Sequence, residues 1–293
     1  MDFTVIVPTY ERPDELAGCV AALVALDYPH DRFEIVVVDD GGSADLGAAL
    51  EAGRGRVPII LVHQRNLGPG AARNAGAAVA RGQALAFTDD DCRPQPGWLR
   101  GLRRALESGP RVLAGGRTSN QLRTNRYAET SQLILEAAYR YFNRDRGNGR
   151  FLASNNMAVD RAEFLEVGGF DVRFRIASED RDLCDRWVFS GGRIVWTDEG
   201  HVEHRHVLTF AGFVRQHYAY GRGAARYHRM RRARRSGRLW QQLSFHGRWG
   251  ELLIRPALAS PAPARVLLLL ACWQAANTAG FLRETLGKAW PGD

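Results

Sequence analysis

The chain has 293 residues, 45% of them apolar and 25% charged, which suits one large globular domain or a domain with an appendage, and excludes a disordered or low-complexity chain. Its formal net charge of +8 is uneven: residues 205–293 carry 15 basic and 3 acidic side chains, whereas residues 1–204 carry 25 and 29. A mildly acidic front joined to a strongly basic back predicts an anionic partner for the back, such as a lipid headgroup, a lipid phosphate or a nucleic acid.

The four cysteines, Cys19, Cys92, Cys184 and Cys272, lie far apart and form no CxxC pair, which argues against a zinc site or a disulfide framework and fits a reducing compartment. The N-terminus enters an apolar pattern at once, so no secretory leader is expected.

In chain order, residues 3–7 form a short β-branched run stopped by Pro8 and read as a buried strand. Residues 13–26 carry Leu16, Val20, Leu23 and Leu26 at helical spacing. Residues 33–38 predict a second strand, ended by Asp39, Asp40, Gly41 and Gly42, and residues 57–62 a third. An alanine-rich helix over residues 70–80 opens on a Gly-Pro-Gly turn, and residues 84–88 predict a fourth strand, ended by Asp89, Asp90 and Asp91. This alternation implies an α/β fold with a mostly parallel sheet and helices on both faces. Further on, strands are expected at residues 112–116, 151–159 and 193–196, and helices at 127–141 and 210–228. An Arg-rich stretch follows, then an apolar segment at residues 266–282, interrupted by Gln274, Asn277 and Thr278.

Ligands of such sheets bind beyond the carboxyl ends of the strands, and the chemically capable residues gather there: Thr9 and Glu11, Asp39 and Asp40, residues 66–73, and Asp89 to Asp91. Three adjacent carboxylates repel one another and call for a compensating cation; a hard divalent ion, Mg2+ or Mn2+, suits them, and a solvated acidic turn is the alternative. Asp39 and Asp40 can accept hydrogen bonds from a base or a ribose, or be turn residues only. The glycines of residues 66–76 let the backbone approach an anion at a helix N-terminus, with Arg73 as a fixed positive fork. In Ser178-Glu179-Asp180-Arg181-Asp182, a carboxylate opening a helix suits proton removal from a hydroxyl, although acidic first-turn residues also stabilise any helix. His204 and His206 point the same way on a strand, and one of them can be a metal ligand.

Together these motifs resemble glycosyltransferase family 2, the inverting GT-A enzymes. The resemblance rests on Val5-Ile6-Val7-Pro8-Thr9-Tyr10, the Asp39-Asp40 strand end, the Ala72-Arg73-Asn74-Ala75-Gly76 core, Asp89-Asp90-Asp91 as the DxD motif, and Gly168-Gly169-Phe170-Asp171 with residues 178–183. It covers roughly residues 3–225. It implies a Rossmann-like catalytic domain over residues 1–225 and a basic helical region over 226–293. By resemblance, Thr9 and Glu11 line the nucleotide pocket, Asp39 contacts the base or ribose, Arg73 supports nucleotide binding and Asp89 faces the ribose. Asp91 holds the metal, Asp90 shares it or the donor, Asp180 is the catalytic base, and His204 is the second-half metal ligand. The expected partners are a nucleoside-diphosphate sugar and a glycan or lipid-linked acceptor. The Arg-rich stretch and residues 266–282 predict peripheral contact at the cytoplasmic face of a membrane, with a helix packed on the catalytic domain as the alternative. A sugar-phosphate nucleotidyltransferase would carry a Gly-rich basic loop after the first strand, where this chain has Pro8-Thr9-Tyr10-Glu11-Arg12-Pro13. The basic run with Tyr218, Tyr220, Tyr227 and Trp240 suits a nucleic-acid module less well than a membrane surface, and no nucleic acid is expected.

Overall fold

The computed structural model describes residues 1–237 and 243–287, so Arg238 and Trp240 of the basic stretch lie outside the described residues. Two compact units emerge: one of Met1–Gln121, Phe142–Arg175 and Asp180–His206, the other of Leu122–Tyr141, Ile176–Glu179 and Val207–Asp293.

The strands are β1 (Phe3–Thr9), β2 (Phe33–Asp39), β3 (Ile59–His63), β4 (Ala84–Phe87), β5 (Cys92–Pro94), β6 (Val112–Asn120), β7 (Met157–Asp160) and β8 (Arg193–His204). The helices are α1 (Pro13–Val24), α2 (Gly47–Leu50), α3 (Pro69–Val79), α4 (Trp98–Leu106), α5 (Arg126–Phe142), α6 (Arg161–Glu166), α7 (Glu179–Phe189), α8 (Phe210–Arg234), α9 (Leu243–His246), α10 (Arg255–Leu258) and α11 (Pro263–Leu286).

In the first unit all eight strands form one sheet in the order β3-β2-β1-β4-β7-β6-β8-β5. The pairs β2–β3, β1–β2, β1–β4 and β6–β8 are parallel, and β7 enters antiparallel between β4 and β6. This is the mostly parallel, Rossmann-like GT-A sheet, and a helical extension follows it. Because side chains alternate along a strand, the sheet buries two separate cores. Phe3, Val5, Val7, Ile35 and Val37 face Leu16, Val20, Trp98 and Leu102. Ile6, Val36, Val38, Leu85 and Phe87 face Ala72, Phe164, Phe170 and Trp187.

Three elements differ from expectation. Residues 151–156 are not strand, and β7 starts only at Met157. The reason is Asn156, fully buried, whose amide donates to the Arg117 and Gly200 carbonyls at 2.9 and 2.8 Å and accepts from Trp98 Nε1 at 2.9 Å. It satisfies carbonyls at the irregularity between Gly116 and Thr118, which lets β6 run on to Asn120. β8 likewise runs on through Asp198 and Glu199 to His204, and its far end pairs antiparallel with the unforeseen three-residue β5, Cys92 opposite His204.

In the second unit Phe213, Leu253, Ala257, Leu269, Leu270 and Trp273 form a core of their own. The Arg-rich stretch continues α8 to Arg234, and Arg235 ends it in the left-handed conformation at φ 58°. α8 and α11 touch backbone to backbone. A Cβ on Gly221 would stand 1.9 Å from the Asn277 carbonyl oxygen, and one on Gly280 would stand 2.0 Å from that of Tyr218. By length and composition α11 is apolar enough to cross a membrane, with only 28% of its apolar window buried.

Candidate active site

The first unit sets its acids at strand ends. Thr9 and Asp39 are the last residues of β1 and β2 and lie in register. Asp39 Oδ1 accepts from the Gly42 N–H at 2.8 Å, and Oδ2 meets His63 Nδ1 at 3.1 Å. Asp40 accepts from Gln64 Nε2 (2.6 Å) and from the N–H groups of Leu67 (2.9 Å) and Gly68 (2.8 Å), so it ties down the loop that opens α3. The turn between needs a glycine: Gly41 has φ +85°, and a Cβ there would stand 2.5 Å from the Asn66 nitrogen. Glu11, at φ 53°, accepts from the Ser43 N–H at 2.6 Å and from its hydroxyl at 2.9 Å.

The three acids after β4 are divided among different partners. Asp89 accepts from Arg73 at 2.6 Å, and the buried Arg73 guanidinium lies 5.5 Å over the Phe170 ring. Asp90 accepts from the Thr9 hydroxyl at 2.8 Å and pairs with Arg12 at 2.5 Å. Burial pushes its carboxyl up to about 7; Arg12 opposes this, and the neighbouring Asp91 and Asp89 reinforce it. Asp91 lies between two cationic groups, with Arg12 at 2.9 Å from Oδ2 and His204 Nε2 at 3.1 Å from Oδ1. Burial alone would raise its carboxyl, but the His204 charge and hydrogen bond, with Arg12, hold it well below the ordinary carboxylate range. Burial lowers His204, yet the Asp91 charge leaves it above its ordinary value. His206 stacks on His204 with ring centroids 4.7 Å apart, and burial followed by the His204 charge pushes it down to about 4.

Asp91 and His204 reach each other because β5 and β8 pair with Cys92 opposite His204. Their facing atoms, 3.1 Å apart, match the spacing of neighbouring ligands of an octahedral ion with bonds of about 2.1 Å. The Cys92 Sγ completes a group whose ligand atoms all lie within 4.8 Å, and burial raises that thiol well above its ordinary value. A buried carboxylate oxygen and a partly exposed imidazole nitrogen at this spacing fit a divalent ion of the Mg2+ or Mn2+ type.

The structure brings Thr9, Asp90, Asp91 and His204 into one network and joins Arg73 to Asp89. Asp180 stands on the first turn of α7, where its Oδ1 accepts from the Arg181 N–H at 2.7 Å. Sequence reasoning missed Arg12, although three crowded carboxylates called for a cation and an arginine stood in the β1–α1 turn. It also missed His63 as the partner of Asp39. Arg93 donates to Glu15 at 3.1 Å, and Glu15 also pairs with Arg205, beside the two histidines.

A sheet of this topology with an aspartate triplet at a central strand end defines a GT-A sugar-transfer domain. A family model described as glycosyl transferase family 2 matches residues 4–168, more than half of the chain, and spans Thr9 to the aspartate triplet but not Asp180 or His204. The chain is 26% identical over 223 residues to the glucosyl-dolichyl phosphate glucuronosyltransferase of Haloferax volcanii, covering 70% of this chain and 69% of that protein. It is 31% identical over 116 residues to the glycosyltransferase AglE of the same organism, covering 38% of either chain. In fold it is similar to the mannosyltransferase PcManGT of Pyrobaculum calidifontis, solved with GDP-Man and Mn2+, at TM-score 0.69 and 19% identity over 98% of this chain and 88% of that one. The chain belongs to glycosyltransferase family 2 and is a glycosyltransferase on the GT-A fold.

Proposed function

We propose that the protein moves a sugar from a nucleoside-diphosphate donor to a hydroxyl of a lipid-linked or cell-envelope glycan, with inversion and with a divalent ion, Mg2+ or Mn2+. The Asp91–His204 pair, 3.1 Å apart on paired strands, carries this reading. Support also comes from the relative whose name carries a glucosyl-dolichyl phosphate, and from the structural neighbour's GDP-Man and Mn2+. Residues 1–225 are the catalytic part and 226–293 the basic helical region, at the cytoplasmic face of a membrane.

In this reading Thr9 and Glu11 line the nucleotide pocket and Asp39 accepts from the base or ribose. Arg73 holds Asp89 towards the ribose. Asp91 and His204 hold the ion, with Asp90 beside them. An ion held by Asp91 and His204 would supply positive charge to offset that growing on a departing diphosphate. Asp180 takes the proton of the acceptor hydroxyl, which attacks opposite the leaving group and inverts the anomeric carbon in one displacement.

A screen of UDP- and GDP-sugars for nucleotide release, with each ion and with EDTA, tests the reading. Asp91→Ala is expected to abolish transfer and leave the fold intact, because the side chain supplies charge rather than core packing. Unchanged wild-type turnover in EDTA would refute metal dependence.

A further inference from the structure

Arg12 does something in this site that the proposed donor and metal roles leave unexplained. It stands at the head of α1, and its guanidinium bridges two carboxylates: one nitrogen lies 2.5 Å from Asp90 Oδ1, the other 2.9 Å from Asp91 Oδ2. The Arg12 side chain is 48% exposed, whereas Asp90 and Asp91 are buried beneath it. It is an arm laid over the acids from the solvent side. The preceding residue, Glu11, is held at φ 53° by two hydrogen bonds to Ser43, which fixes where the arm starts.

This placement has an electrostatic reason. Asp89 is neutralised by Arg73, and Asp91 by His204 on one oxygen. Asp90 and the second oxygen of Asp91 would otherwise repel each other in a buried place, and Arg12 is the cation that meets both. An ion taken up between Asp91 Oδ1 and His204 would bring two positive charges beside Arg12, repel its guanidinium and weaken the pull of the Asp91 carboxylate on it. The planar fork of Arg12 then matches the one new group that carries negative charge to this place, a diphosphate.

We propose that Arg12 is the resident counter-cation of the metal-free site and that it transfers from Asp91 to the diphosphate of the donor when a divalent ion binds. Arg12 is thus a positioning residue that couples ion uptake to donor uptake. The proposal rests on the metal-dependent reading above.

Mn2+ binding to the protein without nucleotide, followed by electron paramagnetic resonance, tests the exchange. Arg12→Met removes the competing cation and is expected to bind Mn2+ about two- to fivefold more tightly than wild type, the range that a half-exposed ion pair is worth. At saturating Mn2+ the same variant is expected to bind UDP or GDP, whichever wild type prefers, more weakly. Arg12→Lys, which keeps the charge and loses the fork, should hold the wild-type Mn2+ affinity and show the diphosphate loss, and it guards against misfolding of the Met variant. A merely structural Arg12 would weaken both affinities together. The exchange is overturned if Arg12→Met binds Mn2+ no more tightly, or binds the nucleoside diphosphate as wild type does. If wild type and Asp91→Ala alike fail to bind Mn2+, the metal reading itself falls.

Discussion

Asp180 and Asp182 sit two residues apart at the start of α7 and have different fates. Asp182 is fully buried and accepts from Arg186 Nε at 2.7 Å, while Arg186 also donates to the carbonyls of Val167 and Gly169. Asp182 is therefore committed to holding the Gly168-Gly169 turn. Asp180 is half-buried, and the proposed function makes it the base for the acceptor hydroxyl. Asp180→Asn is expected to lower kcat by ~10²-fold or more while donor affinity, measured by calorimetry, stays near wild type, because it removes a proton acceptor and no phosphate contact. A variant that transfers at close to the wild-type rate would move the base to Glu179. The aspartates were legible in the sequence because acids at strand ends stand out against an apolar run. Arg12 and His63 were not, because their meaning comes only from partners 78 or 79 and 24 positions away, and no local pattern marks such a pairing.

At the scale of the element, one strand carries a polar anchor at the end away from the site. Glu34 in β2 is fully buried, accepts from the Thr4 hydroxyl and the Arg81 N–H, each at 2.7 Å, and pairs with the Arg81 guanidinium. Burial alone would raise its carboxyl, but these partners together hold it below its ordinary value of 4.5. A depressed carboxylate stabilises the fold above its unfolded pKa, and that contribution is lost as pH falls through the folded value. Glu34→Ala, which strands the Thr4 and Arg81 donors, is expected to cost about 2 kcal/mol or more at pH 7. In urea melts the penalty should shrink as the pH drops below 4.5; a penalty that stays constant down to pH 3 would contradict the ionic anchor. β1, β2 and β4 were readable because strands buried on both faces form apolar runs, and β3, a partly exposed edge strand, because its apolar, β-branched run still stands out. β5 and the far half of β8 were not, since a three-residue strand containing Pro94 and a stretch containing Asp198 and Glu199 carry no strand pattern of their own. Their pairing with each other defines them as strands.

At the scale of the whole molecule, the charge asymmetry and α11 bear on where the enzyme works. α11 buries Leu269, Leu270 and Trp273, and it leaves Ala264, Leu268, Ala271, Ala275, Ala279, Leu282 and Leu286 exposed at helical spacing. An apolar outer stripe in a unit that also carries Arg231, Arg232, Arg234 and Arg235 suits an anionic bilayer surface, where each arginine contributes roughly 1 kcal/mol at low salt. Wild type is expected to sediment with anionic vesicles at low salt, and a variant with these four arginines changed to glutamine to sediment less, with unchanged donor affinity. Wild type that stays in the supernatant would direct the basic stretch to a soluble acidic acceptor. The short β5–β8 pairing has a consequence of its own. Asp91 and His204 are more than a hundred positions apart in the chain, so an ion bridging them is a clasp that closes a very long loop without a covalent bond. Binding at a hundred times its dissociation constant would add about 2.7 kcal/mol to the folded state. Metal supply would then set the lifetime of the protein as well as its turnover, and EDTA-treated enzyme, heated instead of assayed, should melt earlier.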